Sequence, residues 1–316
     1  RVLEIGSNDG SLLQYFKQHN INDIKGVEPA SDAANVAIKK GINTDIFFFN
    51  DYYTKYLIGN PIFDLIIGNN VLAHNPNLNE FVSSMKSVLK PDGIITMEFP
   101  HLLNLILHNQ FDTIYHEHFS YFSFRAINEL FKRNGLKIFD VEEIDIHGGS
   151  LRIYAKHNEC QNNQTTKNVF KLTQKEAWYG LYKKETYNNF AEKIVKIKKD
   201  ILKYMLIISD SQCMSVKKKI ICYGAPAKGN TLLNYCGLGK DFIKYVVDMN
   251  PHKQDDYLPG TRIPIYHPDR IKEDRPNYII ILPWNLSDEI VKYLNFTKEW
   301  NCKLITLIPE IKVCDV

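Results

Sequence analysis

The chain opens Arg1-Val2-Leu3-Glu4-Ile5-Gly6-Ser7-Asn8-Asp9-Gly10, and the reading of these ten residues decides its fold. An apolar run ends near Glu4, glycines stand at 6 and 10, and a helix is predicted from Ser11. A glycine turn between strand and helix lets a ligand approach the backbone, because glycine lacks a Cβ and tolerates positive φ. The helix N-terminus behind it favours polar or anionic groups. Glu4 narrows the reading. Dinucleotide enzymes hold a pyrophosphate at such a turn, usually in a G-x-G-x-x-G context. Here the spacing is G-x-x-x-G, and a carboxylate stands beside it. That carboxylate repels a pyrophosphate and suits a ligand with a cationic amino-acid end, such as S-adenosylmethionine. Glu4, Gly6, Asn8 and Gly10 are the cofactor candidates of this turn. The plainer alternative is an ordinary βα turn with a surface glutamate.

A second acid follows at one βαβ interval. Asp23 to Ala30 reads DIKGVEPA, a short strand with Glu28 at its end. An acid at the end of the second strand commonly accepts hydrogen bonds from ribose hydroxyls. A third strand over 43–49 brings Phe47, Phe48 and Phe49, which suit the flanks of an adenine. Core packing is the expected role of at least two of them.

Strands predicted at 1–5, 24–28, 43–48, 63–68 and 93–99 alternate with helices at 11–19, 31–40 and 77–90. This alternation gives a parallel sheet covered on both faces. Lys90-Pro91-Asp92-Gly93 reads as a turn feeding the fifth strand. Two further strands, 136–143 and 150–155, close the sheet antiparallel. Residues 160–210 are polar and lysine-rich, and Phe190, Ile194, Ile197, Ile201 and Met205 recur at helical spacing. They predict one long amphipathic helix whose apolar stripe serves packing. From residue 219 the alternation restarts: strands at 219–223, 242–248, 277–282 and 303–307, with helices at 229–235 and 286–294. The expected fold is α/β, a doubly wound Rossmann-like domain over 1–158, a helical linker over 159–215, and a smaller Rossmann-like domain over 216–316.

Composition bounds the function. The 316 residues carry a formal net charge of +3, which gives no argument for nucleic acid. The lysine runs at 183–184, 193–200 and 217–219 read as solvated helix faces. No apolar run approaches the ~20 residues of a membrane span, and no signal peptide is visible. The six cysteines show no C-x-x-C spacing, which predicts free thiols, a reducing, cytoplasmic setting and no metal site. A monomer is expected.

Polar residues gather in the loops after strands four and five. Gly68-Asn69-Asn70-Val71-Leu72-Ala73-His74 follows the fourth strand, and ligands bind beyond the carboxyl ends of parallel strands. Asn69, Asn70 and His74 therefore face the reactive end of the cofactor. Phe111 to Phe122 reads FDTIYHEHFSYF, two histidines flanking a glutamate among aromatics. A zinc reading of His116-x-His118 lacks further ligands at metal spacing. An acid–base reading fits better, since imidazole titrates near neutrality and an adjacent carboxylate or phenol can tune it. His147-Gly148-Gly149-Ser150 is a further polar loop, either an approach to substrate or a tight turn. In the second half, Tyr223 to Asn230 reads YGAPAKGN. This small-residue turn, with Gly224, Ala225, Lys228, Gly229 and Asn230, opens a helix and suits a pyrophosphate. It lacks the Walker pattern, so ATP is not implied. Asp248, Trp284 and Asn285 stand at the ends of neighbouring strands.

In these pieces the chain resembles the nucleotide-sugar C-methyltransferases, which act on deoxysugars. The resemblance is carried by FDTIYHEHFSYF at 111–122, HGGSLR at 147–152, YGAPAKGNTLLNYC at 223–236 and ILPWN at 281–285; the opening EIGSNDG is shared with many methyltransferases. It implies S-adenosylmethionine as cofactor, a class I methyltransferase domain, and a C-terminal domain holding a nucleoside diphosphate sugar. It also implies an N-terminal zinc-binding domain upstream of Arg1, with no zinc in the present chain. By the same resemblance His118 is the general base, with Glu117 and Tyr115 beside it and His74 across the substrate. Methyl transfer to oxygen or nitrogen, and an inactive binding homologue, are the competing expectations. An NAD-dependent oxidoreductase is disfavoured by the missing G-x-G-x-x-G.

Overall fold

A computed structural model describes residues 1–57, 62–209 and 218–314. The expectations for Cys213, for Lys217 and for a boundary at 215/216 lie outside the described residues. The chain divides into two compact units, Arg1–Leu103 with Glu117–Tyr182, and Asn104–His116 with Lys183–Val316.

The first unit contains β1 (Val2–Ile5), α1 (Ser11–Gln18), β2 (Ile24–Val27), α2 (Ser31–Lys39), β3 (Thr44–Asp45), α3 (Asp51–Tyr56), β4 (Phe63–Asn69), α4 (Leu78–Val88) and β5 (Leu89–Pro100). After α5 (Leu102–Leu107), which runs across the unit boundary, come α6 (Phe124–Arg133), β6 (Leu136–Ile144), β7 (Ser150–His157) and α7 (Lys167–Trp178). The sheet order is β3-β2-β1-β4-β5-β7-β6. Strands β1 to β5 are parallel, and β7 runs antiparallel to both β5 and β6. β1 is fully buried because sheet neighbours and helices enclose it. Its period-two alternation sends Leu3 and Ile5 into the larger core with Phe63, Met97 and Phe99, and Val2 into a second core with Leu13, Ala37 and Ile42. Glu4 shares the Val2 face.

Three local readings change. The third strand is only Thr44–Asp45, and of the three phenylalanines after it only Phe49 is buried. Phe47 instead stacks on Tyr52 and Tyr56, one turn apart on α3. Lys90–Gly93 is a bulge within β5, since the register jumps from Phe63↔Leu89 to Leu65↔Ile94. The long helix expected over 160–210 is two helices. Gly180, at φ +70, ends α7: its N–H donates to Ala177 and that of Leu181 to Glu176. This pair of bonds is a Schellman cap, which glycine forms without Cβ strain. α7 then packs on β6, with Leu172 in the first unit's core.

The second unit holds α8 (Lys184–Ser209), β8 (Ile220–Tyr223), α9 (Ala227–Cys236), β9 (Val246–Val247), β10 (Ile265–Tyr266), α10 (Arg270–Asp274), β11 (Tyr278–Ile281), α11 (Ser287–Tyr293), β12 (Lys303–Thr306) and β13 (Lys312–Cys314). Its sheet order is β10-β9-β8-β11-β12-β13, parallel except for β13. Ile194, Ile201 and Met205 of α8 are buried in its core, as the helical stripe requires. The strand expected over 242–248 shrinks to Val246–Val247 because Phe242 and Ile243 turn back onto the Gly239 carbonyl. The short strands β10 and β13 were not anticipated. Among the described residues, no helix is long and apolar enough to cross a membrane.

Gly6 sits at φ +68, and a Cβ there would lie 2.3 Å from Val71 Cγ1. Gly6→Ala combines left-handed strain with overpacking and is expected to destabilise the first unit by about 1–3 kcal/mol. A urea titration of the variant checks this; an unchanged midpoint contradicts it.

Candidate active site

In each sheet the strand order reverses beside the first strand of that unit. β1 neighbours β2 and β4, and β8 neighbours β9 and β11. Ligands of open α/β sheets bind beyond the strand ends at such switch points.

In the first unit this point carries Glu4. It lies between Gly26 of β2 and Ile67 of β4, its side chain is 5 % exposed, and its Oε2 is buried with no hydrogen-bond partner. Burial, then the charges of Asp9 and Glu28, push its carboxyl up to about 8. A buried acid without a partner is costly and marks a place where a cation is expected. Gly6, Asn8 and Gly10 shape the turn beyond it, all three at positive φ. Glu28 fixes that turn. One of its oxygens accepts the Asn8 N–H at 2.9 Å and the other the Ala30 N–H at 2.9 Å. Each oxygen keeps a second lone pair for a hydroxyl. Asn69 ends β4, and Asn70, at φ +55, donates its N–H to the Glu98 carbonyl. A buried acid beside a carboxylate with free lone pairs suits a ligand that carries a cationic group and hydroxyls.

The loops after β4 and β5 meet. Phe119 donates its N–H to the Ala73 carbonyl at 2.8 Å. The His74 and His118 rings stand edge to face with centroids 5.0 Å apart, and Tyr121 lies 5.8 Å from His118. Tyr121 was not singled out in the sequence, although it lies in the quoted aromatic stretch three residues beyond His118. Glu117 is exposed in the same unit, whereas Tyr115 and His116 fall in the second. His147, Gly148 and Gly149 are all at positive φ, a turn closed by the Gly149 N–H on the Ile146 carbonyl.

In the second unit, Gly224 and Ala225 donate their N–H groups to Val247 and to the Asp248 carboxylate. Pro226 caps α9, so Ala227 and Lys228 already belong to the helix that was expected from 229. A Cβ at Gly229 would meet Leu282 at 2.7 Å, so this glycine packs helix on strand. Asn230 accepts from Asn234 Nδ2 one turn further along α9. Lys228 Nζ donates to Asn285 Oδ1 at 2.7 Å and stands 4.6 Å over the Trp284 ring. Trp284 Nε1 donates to Asp112 Oδ2 at 2.7 Å. Burial lowers the Lys228 ammonium, with Asp112 pulling it back up, and raises Asp112 to about 6. Asp112 is the functional candidate that the sequence reading missed. Its signal was a second acid, beside Glu117, in the aromatic run, and its partner lies 172 positions along the chain.

Residues 1–141 match the profile of a methyltransferase domain, and residues 145–309 that of the C-methyltransferase C-terminal domain. The chain is similar to the C-methyltransferase NovU of Streptomyces niveus, 34% identical over 314 residues that span 99% of this chain and 73% of that protein. Among solved structures, an S-adenosylmethionine-dependent methyltransferase from Mesorhizobium loti aligns with 50% of this chain and 90% of its own at 13% identity and a TM-score of 0.42. One from Archaeoglobus fulgidus aligns over 49% and 85% at 20% identity and a TM-score of 0.40. The first unit is a class I S-adenosylmethionine-dependent methyltransferase fold. The chain belongs to the C-methyltransferase family.

Glu4 holds a proton up to about 8 in the folded chain, against the usual 4.5. The folded state therefore binds the extra proton between those values, and this carboxyl opposes folding increasingly as pH rises through that window. A cationic amino group at Glu4 favours the ionised form. Cofactor binding at pH 7 is thus expected to release roughly 0.9 proton, and Glu4→Gln to abolish the release. Calorimetry in two buffers of different ionisation enthalpy measures it; identical heats would exclude Glu4 from the cation site.

Proposed function

We propose that this chain methylates a carbon of a nucleotide-linked 4-keto-deoxysugar, with His118 as the general base. The observation that supports the reading best is the meeting of His118 with His74 and Tyr121 beside the end of β4. A ketone acidifies the neighbouring C–H bond. His118 takes that proton, and the C–H electrons pass into the enolate. Imidazole is the side chain suited to taking a proton at neutral pH. The growing charge on the ketone oxygen needs N–H or O–H donors, and His74, Tyr115 and Asn70 are the groups for it. Glu117 borders the base as a further acid. When bound, S-adenosylmethionine supplies an electrophilic methyl group. Glu4, Gly6, Asn8, Gly10, Glu28 and Asn69 hold it, and the His147–Gly148 turn borders the sugar.

The nucleoside diphosphate belongs to the second unit. α9 presents its N-terminal N–H groups after the Gly224–Ala225 turn, and a phosphate is stabilised at such an end. Lys228 has three N–H donors, of which Asn285 takes one. Asp248 holds the turn in shape, and the Trp284 ring beside Lys228 suits a planar group of the ligand.

His118→Asn keeps size and polarity while removing the base. Turnover should fall roughly 10²–10⁴-fold with cofactor affinity unchanged. Exchange of the sugar's α-proton with deuterated solvent, followed by NMR, should vanish with it. Exchange and turnover that both survive would exclude His118. Methyl transfer without any exchange in the parent enzyme would point to an oxygen or nitrogen acceptor.

Lys228→Ala is expected to raise KM for the nucleotide sugar roughly 10-fold or more, the scale of one charge-assisted bond, with the cofactor Kd intact. Steady-state kinetics and calorimetry on one preparation separate the two. A loss confined to cofactor binding would reverse the assignment of the units.

A further inference from the structure

The base loop is bracketed by a buried carboxylate that lies far from it in sequence. Glu176, on α7, is 0 % exposed. Its Oε1 lies 2.8 Å from His101 Nε2 and accepts the Phe124 N–H at 2.5 Å. Its Oε2 accepts the Arg125 N–H at 3.1 Å and the Tyr182 hydroxyl at 2.9 Å. Four donors on one carboxylate outweigh its burial, and they hold its carboxyl below the usual glutamate range.

Three of these donors, His101, Phe124 and Arg125, are the two ends of one excursion. His101 follows β5, and Phe124 and Arg125 begin α6. Between them the chain leaves and returns with His118 on the way back. The ends are also tied directly: Leu102 donates its N–H to the Phe122 carbonyl at 2.9 Å, and His101 bridges Phe122. The His101 N–H donates to Gly149 at 3.1 Å, which anchors the glycine turn to the same point. Ser123 caps α6 through its Oγ on Ala126, so the departure angle of residues 118–122 is fixed from that end. Phe119 on Ala73 fixes the other side.

We propose that Glu176 is a positioning residue for the reaction: by clamping His101, Phe124 and Arg125 it sets the aim of His118 toward the substrate. The proposal rests on the reading of His118 as the base. Glu176→Gln tests it because an amide places a donor against backbone N–H groups that cannot turn into acceptors. The expected result is a fall in kcat of about 10-fold or more, with KM for the cofactor within twofold and a displaced pH profile of kcat. Tyr182→Phe removes one donor and keeps the carboxylate, so it is expected to move kcat in the same direction by less.

The decisive measurement is the double variant with His118→Asn. Groups that act through one another are not additive. Glu176→Gln with His118→Asn should therefore be no slower than His118→Asn alone, and Tyr182→Phe should behave likewise. Multiplied losses in the double variants would overturn the clamp and leave His118 standing as the base. A silent His118→Asn would overturn the base assignment, and the clamp with it. Should Glu176→Gln fail to fold, the Tyr182→Phe pair decides alone; unchanged kcat in Tyr182→Phe then overturns the proposal.

Discussion

A carboxylate buried at the end of a central parallel strand is the constraint on which the first unit depends. Glu4 cannot turn to solvent, because β2 and β4 flank its strand and the Gly6 turn closes over the end. Its environment makes it a poor anion. Everything near it serves that condition. Asp9 adds to the negative field at Glu4, and Lys40 at 2.7 Å balances it only in part. Glu28 is turned toward the Asn8 and Ala30 N–H groups, so its charge is largely occupied in holding the turn. A sheet that carried a phosphate at this switch point could not tolerate such an acid.

The second unit solves a different problem with the same topology. Its switch point carries a cation, Lys228, and the acid that balances it arrives from residues 104–116. Asp112 does not pair with Lys228 directly. Trp284 stands between them, donating to the acid through its indole N–H and offering its ring to the ammonium. The arrangement keeps Lys228 near a counter-charge without neutralising it by contact.

The alternation of strands and helices was legible because parallel strands buried on both faces read as apolar runs between amphipathic ones. β4 and β5 declared themselves in this way, as did Ile194, Ile201 and Met205 on α8. The strand-end places of Glu4 and Glu28 were legible because the spacing of a βαβ unit sets where its strands end. Other features were hidden for physical reasons. A Schellman stop needs only one glycine, so Gly180 vanished within a lysine-rich helical pattern. β10 and β13 are two and three residues long and have no periodicity to read. At least two of Phe47, Phe48 and Phe49 were expected in the core and only Phe49 lies there, because hydrophobicity alone does not say where a strand ends. Asp112 and Glu176 were out of reach for a common reason: their partners are distant in sequence, and no local pattern records such contacts.

The chain passes between the two units at three places, after Leu103, after His116 and after Tyr182. Residues 104–116 are therefore made well before the helix they pack on. Phe111 meets Tyr235 of α9 with ring centroids 5.1 Å apart, across more than a third of the chain. At a synthesis rate of ~5–20 residues per second, that segment waits roughly 6–25 s for its cover. Through that interval Phe111 and Asp112 are a greasy ring and an acid with nothing to bury them. Cutting the protein at a single linker reproduces the same orphaned state permanently. A fragment ending at Tyr182 would keep the strand and helix of the methyltransferase sheet but strand this loop in water, while a fragment starting at Lys183 would have an empty seat on α9. The two units are separate in architecture and inseparable in manufacture.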